Sequence, residues 1–206
     1  MMKLRTAGIA AALVITTGVA MLAFSGNAIG DSDLHATLID LNGRSIGKAS
    51  LEFERQRSEV EVRLSLPSSM AGFHGFHIHS VGKCDAPFTT AGVHLGENPA
   101  DATHRHRNHA GDLPVLLVDS TGHAQAEFDT DRFKLADVLD TDGAAFIVHA
   151  LPDNYANIPA SDPATGAARY GNPNAVSPPV YPNTVTDAAT LGTGDAGGRI
   201  VCGIIR

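Results

Sequence analysis

Along much of the chain, apolar and polar residues alternate one by one. Ala49, Leu51 and Phe53 are interleaved with Ser50, Glu52 and Glu54. Val60, Val62, Leu64 and Leu66 are interleaved with Glu61, Arg63 and Ser65. Successive side chains of a strand point to opposite faces, so this period predicts half-buried antiparallel strands. A first strand is predicted over 34–41, and Asn42-Gly43 after it is a hairpin signal, because glycine tolerates positive φ. Further strands are predicted at 73–79, 113–119, 124–129, 144–150 and 199–205, with Ser120-Thr121-Gly122 turning between two of them. No segment carries a helical apolar stripe, and residues 131–140 have room for a single turn. Eight short strands separated by turn signals predict an all-β domain, a sandwich or barrel.

Two stretches interrupt the rhythm. Residues 80–111 and 151–198 show no strand pattern and are rich in Pro, Gly, Asn and Asp. Loops of that length in a compact domain are expected to be functional or tied down. Both leave strand ends that carry histidine, the first contains Cys84, and the second ends just before Cys202.

Residues 1–30 read as a leader. Lys3 and Arg5 precede an uncharged apolar run, and Gly26-Asn27-Ala28 offers small residues for cleavage. The run, residues 7–24, is near the minimum for a spanning helix, so membrane association through an uncleaved anchor is the competing reading. Either reading exports a domain of residues 31–206, to a periplasmic, cell-surface or secreted location. Cys84 and Cys202 are the two cysteines, and an exported context favours a disulfide between them. It would close a 118-residue loop, for which chain entropy predicts roughly 4–5 kcal/mol. The net charge of −7 becomes −9 once Lys3 and Arg5 leave with the leader, which argues against nucleic acid as a partner.

The chemistry lies in the histidines. His77 and His79 are two apart on a predicted strand, so they share a face, with Phe76 and Ile78 on the other. Of 10 histidines, seven fall at three places: these two, His94, His104, His106 and His109 in the first long loop, and His149 at the end of a strand. Imidazole suits copper, zinc, iron and nickel, and binds as the neutral ring, so such a site weakens in acid. His35, His74 and His123 read as surface or packed histidines.

These motifs together resemble the copper/zinc superoxide dismutases. The resemblance rests on Gly75-Phe-His-Ile-His79, Gly82, Cys84, His94, His109-Ala-Gly-Asp112-Leu-Pro114, Phe146-Ile-Val-His149 and Gly194-Asp-Ala-Gly-Gly-Arg199-Ile-Val-Cys202-Gly203. They occur in the family's order and span nearly all of residues 33–206. The resemblance implies an eight-stranded antiparallel Greek-key flattened barrel with two long loops over a metal site. It implies copper held by His77, His79 and His149, with His94 bridging copper and zinc. His109 and Asp112 are then zinc ligands, Asp153 a carboxylate linking a copper histidine to a zinc histidine, and Cys84–Cys202 the family disulfide. The remaining zinc ligand is His104 or His106. The approach Asn98-Pro99 gives His104 a modest preference, while His106-x-x-His109-x-x-Asp112 is the second alignment.

The implied activity is dismutation of superoxide anion to dioxygen and hydrogen peroxide. Copper carries the electron, His94 carries a proton when it leaves copper, and Arg199 meets the anion. In residues 153–198 the sole basic residue is Arg169, so Lys83, Arg105 and Arg107 are candidates to supplement Arg199. Two other readings use the same histidines: an exported copper buffer or carrier without turnover, which has no need of Arg199, and a copper-only dismutase with an unoccupied zinc site. A homodimer is left open.

Overall fold

The computed structural model describes residues 32–54, 56–98, 106, 108–155 and 192–206. The predicted leader, its reading as an anchor, His104, Arg105, Arg107 and Arg169 lie outside the described residues. Among the described residues, no helix is long and apolar enough to cross a membrane.

The alternating segments form β1 (Ser32–Asp40), β2 (Ser45–Glu54) and β3 (Arg57–Ser65). There follow β4 (Gly72–His74), β5 (Phe76–His79), β6 (Leu116–Val118), β7 (His123–Thr130), β8 (Ala145–His149) and β9 (Arg199–Ile204). One helical turn, α1 (Leu135–Val138), falls inside the stretch that had room for it. Seven strands form one antiparallel sheet in the order β5-β8-β9-β1-β2-β3-β7, and β4 pairs with β6. The all-β expectation therefore holds, as a curled antiparallel sheet.

The strand predicted at 73–79 is two strands in two sheets. Gly75 is the break: its N–H donates to the Leu151 carbonyl and its carbonyl accepts from the His149 N–H, both at 2.8 Å. A Cβ there would lie 2.6 Å from the Ala196 Cβ, so only glycine lets the two segments cross. The strand predicted at 113–119 shortens to Leu116–Val118. Pro114 lacks a ladder donor, and the Val115 N–H is taken by the Tyr155 hydroxyl at 2.7 Å.

One face of the sheet supplies the core: Leu38, Leu51, Val60, Val62, Phe76, Ile78, Phe146 and Val148 are fully buried. Phe76 and Phe146 stack at 5.4 Å. A smaller cluster of Phe88, Ala91, Ala145, Ile147 and Cys202 packs on the other side of β8 and β9. Cys84 and Cys202 are joined, with Cα atoms 5.7 Å apart. The outer face of the far strands is acidic: Asp33, Glu52, Glu59 and Asp129 are cross-strand neighbours in one row.

Because Phe146 lies in the packed centre beside the site, Phe146→Ala should cost about 3–5 kcal/mol of stability. Guanidinium unfolding of the two proteins measures it, and a loss below 1 kcal/mol would contradict the packing described.

Candidate metal centre

Strand β5 is at one end of the large sheet, and its open edge is closed by the first long loop. The Ile78 N–H donates to the Gly111 carbonyl and the Ile78 carbonyl accepts from the Leu95 N–H. His79 bridges to His94 and His77 to Asp112 along the backbone. The loop thus returns twice beside β5 and brings His94 and Asp112 to the histidine strand. On the inner side β8 pairs with β5, and His149 with Arg199 of β9. Residues 149–155 and 194–198 pack together over the same end: the Asn154 N–H donates to the Gly194 carbonyl and the Ala150 N–H to the Gly198 carbonyl.

Six imidazoles are consequently buried together: His77, His79, His94, His106, His109 and His149. Ring centroids of His77 and His94 are 4.1 Å apart, and those of His77 and His149 4.7 Å. A neutral imidazole has one N–H and one lone pair, and an acceptor on one nitrogen fixes the proton there. His79 Nδ1 donates to the Gly92 carbonyl at 3.0 Å. His149 Nδ1 donates to the Gly197 carbonyl at 3.0 Å. His77 Nε2 donates to Asp153 Oδ2 at 2.6 Å, and His94 Nδ1 meets Asp112 Oδ1 at 2.8 Å. What remains is His77 Nδ1, His79 Nε2, His94 Nε2 and His149 Nε2, buried and with no hydrogen-bond partner. One nitrogen from each of these four residues lies within 4.8 Å of the others. Burying four lone pairs unpartnered is costly unless a cation takes them.

A second group adjoins the first. Asp112 Oδ1 faces three Nδ1 atoms: His94, His106 at 3.2 Å and His109 at 3.4 Å. His106 Nε2 is 2.8 Å from both oxygens of Asp153. His77 also falls within reach of this group. Its Nε2 is committed to Asp153, so it has one free nitrogen and can serve one metal. Three imidazoles and one carboxylate are a zinc donor set. Asp153 joins the two groups, holding His77 on one side and His106 on the other.

The charges follow. Burial holds His77 and His79 well below the ordinary histidine value, with neighbouring His94 adding to it. Burial pushes His149 down to about 4 despite its bond to Gly197, and lowers His94 against the pull of Asp112. His106 goes the other way. Burial opposes its charge, but hydrogen bonds and attraction to Asp112 and Asp153 prevail and push it up to about 9. Asp112 is buried, yet the bonds from His106, His109 and His94 hold it well below the usual carboxylate range.

Arg199 is half-buried beside the four-histidine group. Its Nη1 donates to the Phe88 carbonyl at 2.8 Å and its Nη2 to the Gly92 carbonyl at 2.7 Å.

Of the sequence-predicted site residues, His77, His79, His94, His106, His109, Asp112, His149, Asp153 and Arg199 are in this assembly. Of the two candidates for the remaining zinc position, His106 is the one brought to Asp112 and Asp153. His104 lies outside the described residues. Lys83 is exposed in the first long loop. His35 and His123 are exposed, and His74 is packed between the carbonyls of His149 and Met70.

Some participants were not singled out as site residues from the sequence. Tyr155 donates its N–H to Asp153 Oδ1 at 2.6 Å and lays its ring parallel to His106. Gly194 has φ +60°, and a Cβ there would collide with Asp153 and His106. Gly92, Gly197 and Phe88 act through carbonyl oxygens, which any residue has. The glycine-rich run 192–198 was the available signal that backbone approaches something closely.

The family model for copper/zinc superoxide dismutase matches residues 45–175. The chain is 35% identical to a Cu-Zn superoxide dismutase of Mycobacterium tuberculosis, covering 85% of this chain and 71% of that protein. It is 35% identical to one of Mycolicibacterium paratuberculosis, covering 80% and 70%. Among solved structures, a SOD-like protein from Bacillus subtilis superposes with a TM-score of 0.55 at 25% identity, covering 82% of this chain and 96% of that one.

The protonation pattern predicts how the metal-free protein responds to pH. On unfolding, His77, His79 and His149 return to a value near 6.5. Below that the unfolded chain binds protons that the folded chain refuses, so stability falls as pH drops from about 6.5 toward about 4. His106 has the opposite sign. It stabilises the fold fully below 6.5, and its contribution is lost as pH rises through about 9. Urea unfolding of the chelated protein across this range should show a maximum between the two limits. An unfolding free energy that stays flat from neutral pH down to about 5 would contradict the burial account.

Proposed function

Because the chain belongs to the copper/zinc superoxide dismutase family, we propose that His77 Nδ1, His79 Nε2, His94 Nε2 and His149 Nε2 are its copper donors. Zinc takes His94 Nδ1, His106 Nδ1, His109 Nδ1 and Asp112 Oδ1. The observation that carries this is the set of four converging lone pairs, each fixed by an acceptor on the ring's other nitrogen. The reaction is dismutation of superoxide to dioxygen and hydrogen peroxide. Copper, when bound, supplies reversible one-electron transfer, whereas zinc has no accessible redox change.

The chain's own residues do the rest. Asp153 fixes the tautomers of His77 and His106 together, so the two donor sets keep one spacing. His94 has a nitrogen toward each set: its Nδ1 belongs with His106, His109 and Asp112, while its Nε2, on the copper side, can hold a proton. That proton lies where peroxide formation consumes one. Arg199 has two of its five N–H groups tied to carbonyls. The rest provide fixed positive charge and directed donors for a small anion. The buffer reading gives Arg199 no task, and its placement beside the copper set favours turnover. The formed disulfide accords with an exported protein. Residues 7–24 would then serve as leader or anchor, and the domain would work in the periplasm, at the cell surface or outside.

His77→Ala and His149→Ala should each remove most copper and activity while the far-ultraviolet signature of the β fold persists. Normal copper and turnover in both would reject the centre. With copper confirmed, Arg199→Ala should lower kcat/KM by about tenfold or more, Arg199→Lys less, and Arg199→Glu most. Full activity in Arg199→Glu would reject the anion role.

A further inference from the structure

We propose that Phe88 is a positioning residue for Arg199, anchoring through its ring the segment whose carbonyls hold the guanidinium. This rests on the reading of Arg199 as the residue that meets the anion. Both Arg199 contacts come from one short segment of the first long loop: Nη1 to Phe88 and Nη2 to Gly92. The Gly92 carbonyl also accepts from His79 Nδ1. A movement of residues 88–92 would therefore shift the arginine and a copper-side histidine together.

The segment's other ties are hydrogen bonds: the Val81 N–H donates to the Ala91 carbonyl at 3.0 Å and the Asp85 N–H to Thr90 Oγ1 at 3.2 Å, which leaves Phe88 as its one large buried side chain. Thr89 and Thr90 are exposed, and Ala91 is small. Phe88 is 1% exposed and fills the small cluster with Ala91, Ala145, Ile147 and Cys202. Cys84 packs against the same cluster, so both half-cystines border it. Its backbone is left-handed, at φ 69° and ψ 14°. A side chain holds that conformation only where its surroundings over-determine it. Here the buried ring does so, and the result is a carbonyl aimed at Arg199 Nη1. The phenyl group itself has no polar atom. Its effect on the reaction must pass through the backbone of 88–92.

The test is a double-mutant cycle on metal-loaded full-length protein, reading kcat/KM for superoxide and the Kd of azide at the copper absorption band. Phe88→Ala should retain copper, lower kcat/KM by about tenfold and weaken azide by a similar factor, since both anions use Arg199. In the Arg199→Ala background the same substitution should change neither by more than about twofold. Phe88→Leu, which keeps most of the ring's volume, should restore all but about twofold. If Phe88→Ala does not fold, Phe88→Leu carries the cycle: a small loss with Arg199 present and none without it. Equal losses in both backgrounds, or slower turnover with unchanged azide affinity, would overturn the proposal. An Arg199→Ala protein with unaltered turnover would remove the reading of Arg199 itself.

Discussion

The site depends on one constraint: each buried imidazole must leave a lone pair free while its second nitrogen is satisfied. Six rings are packed out of water, where a misplaced proton cannot be corrected by solvent. Each ring of the four-histidine group answers with an acceptor that cannot donate. Two of these are carbonyls, of Gly92 and Gly197, and two are carboxylates, Asp153 and Asp112. Because the acceptors are fixed in the chain, tautomer and ring orientation are set before a metal arrives. Asp153 couples the two donor sets, and its own geometry is held by the Tyr155 N–H and by the bare backbone of Gly194.

Meeting that constraint dictates where the fold is irregular. A regular strand can deliver His77 and His79 to one face, but it cannot bring acceptors around the rings. The break at Gly75 turns the chain from one sheet to the other just before the histidines and lets Ala196 come close. The described parts of the two long loops, residues 92–95 and 109–112 of the first and residues 151–155 and 194–198 of the second, then pack around the histidine strands. The disulfide ties the first loop to β9 near Arg199, so the strand bearing the arginine and the loop receiving it are fastened at one place. The long irregular segments are thus paid for by ties to the sheet.

The sequence made much of this legible, for reasons particular to each residue. The period of two marked β2 and β3 because both faces of those strands differ in solvent contact. His77, His79, His149 and Asp112 were identifiable because side-chain type is itself the chemistry. Choosing between His104 and His106 depended on how a short loop turns, and spacing from Asn98 carried no information about that. The strand over 73–79 looked continuous because alternation persists through Gly75, and what breaks it is a contact with residue 196. Acceptors supplied by Gly92, Gly197 and Phe88 were invisible because a carbonyl is common to every residue.

An acidic protein drawing in an anion is reconciled by where the charge sits. Asp33, Glu52, Glu59 and Asp129 form their row on β1, β2, β3 and β7, while the histidines sit on β5 and β8 at the other end of the strand order. Like charges directly opposite one another cost stability, and Arg57, bridging Glu54 and Asp129, relieves part of the strain at the row's end. Across several strands the row's field is attenuated by salt, whose screening length is roughly 8–10 Å. Close to the four-histidine group Arg199 is a fixed positive charge, whereas the carboxylates there, Asp112 and Asp153, are tied to imidazoles. Half-buried and held by two carbonyls, the arginine is less screened than the surface carboxylates. A small anion at the centre therefore feels the arginine more than the net charge. Ionic strength should act on two opposed terms, the long-range repulsion by the sheet and the short-range attraction by Arg199. Added salt weakens the first before the second, because the first acts over the greater distance.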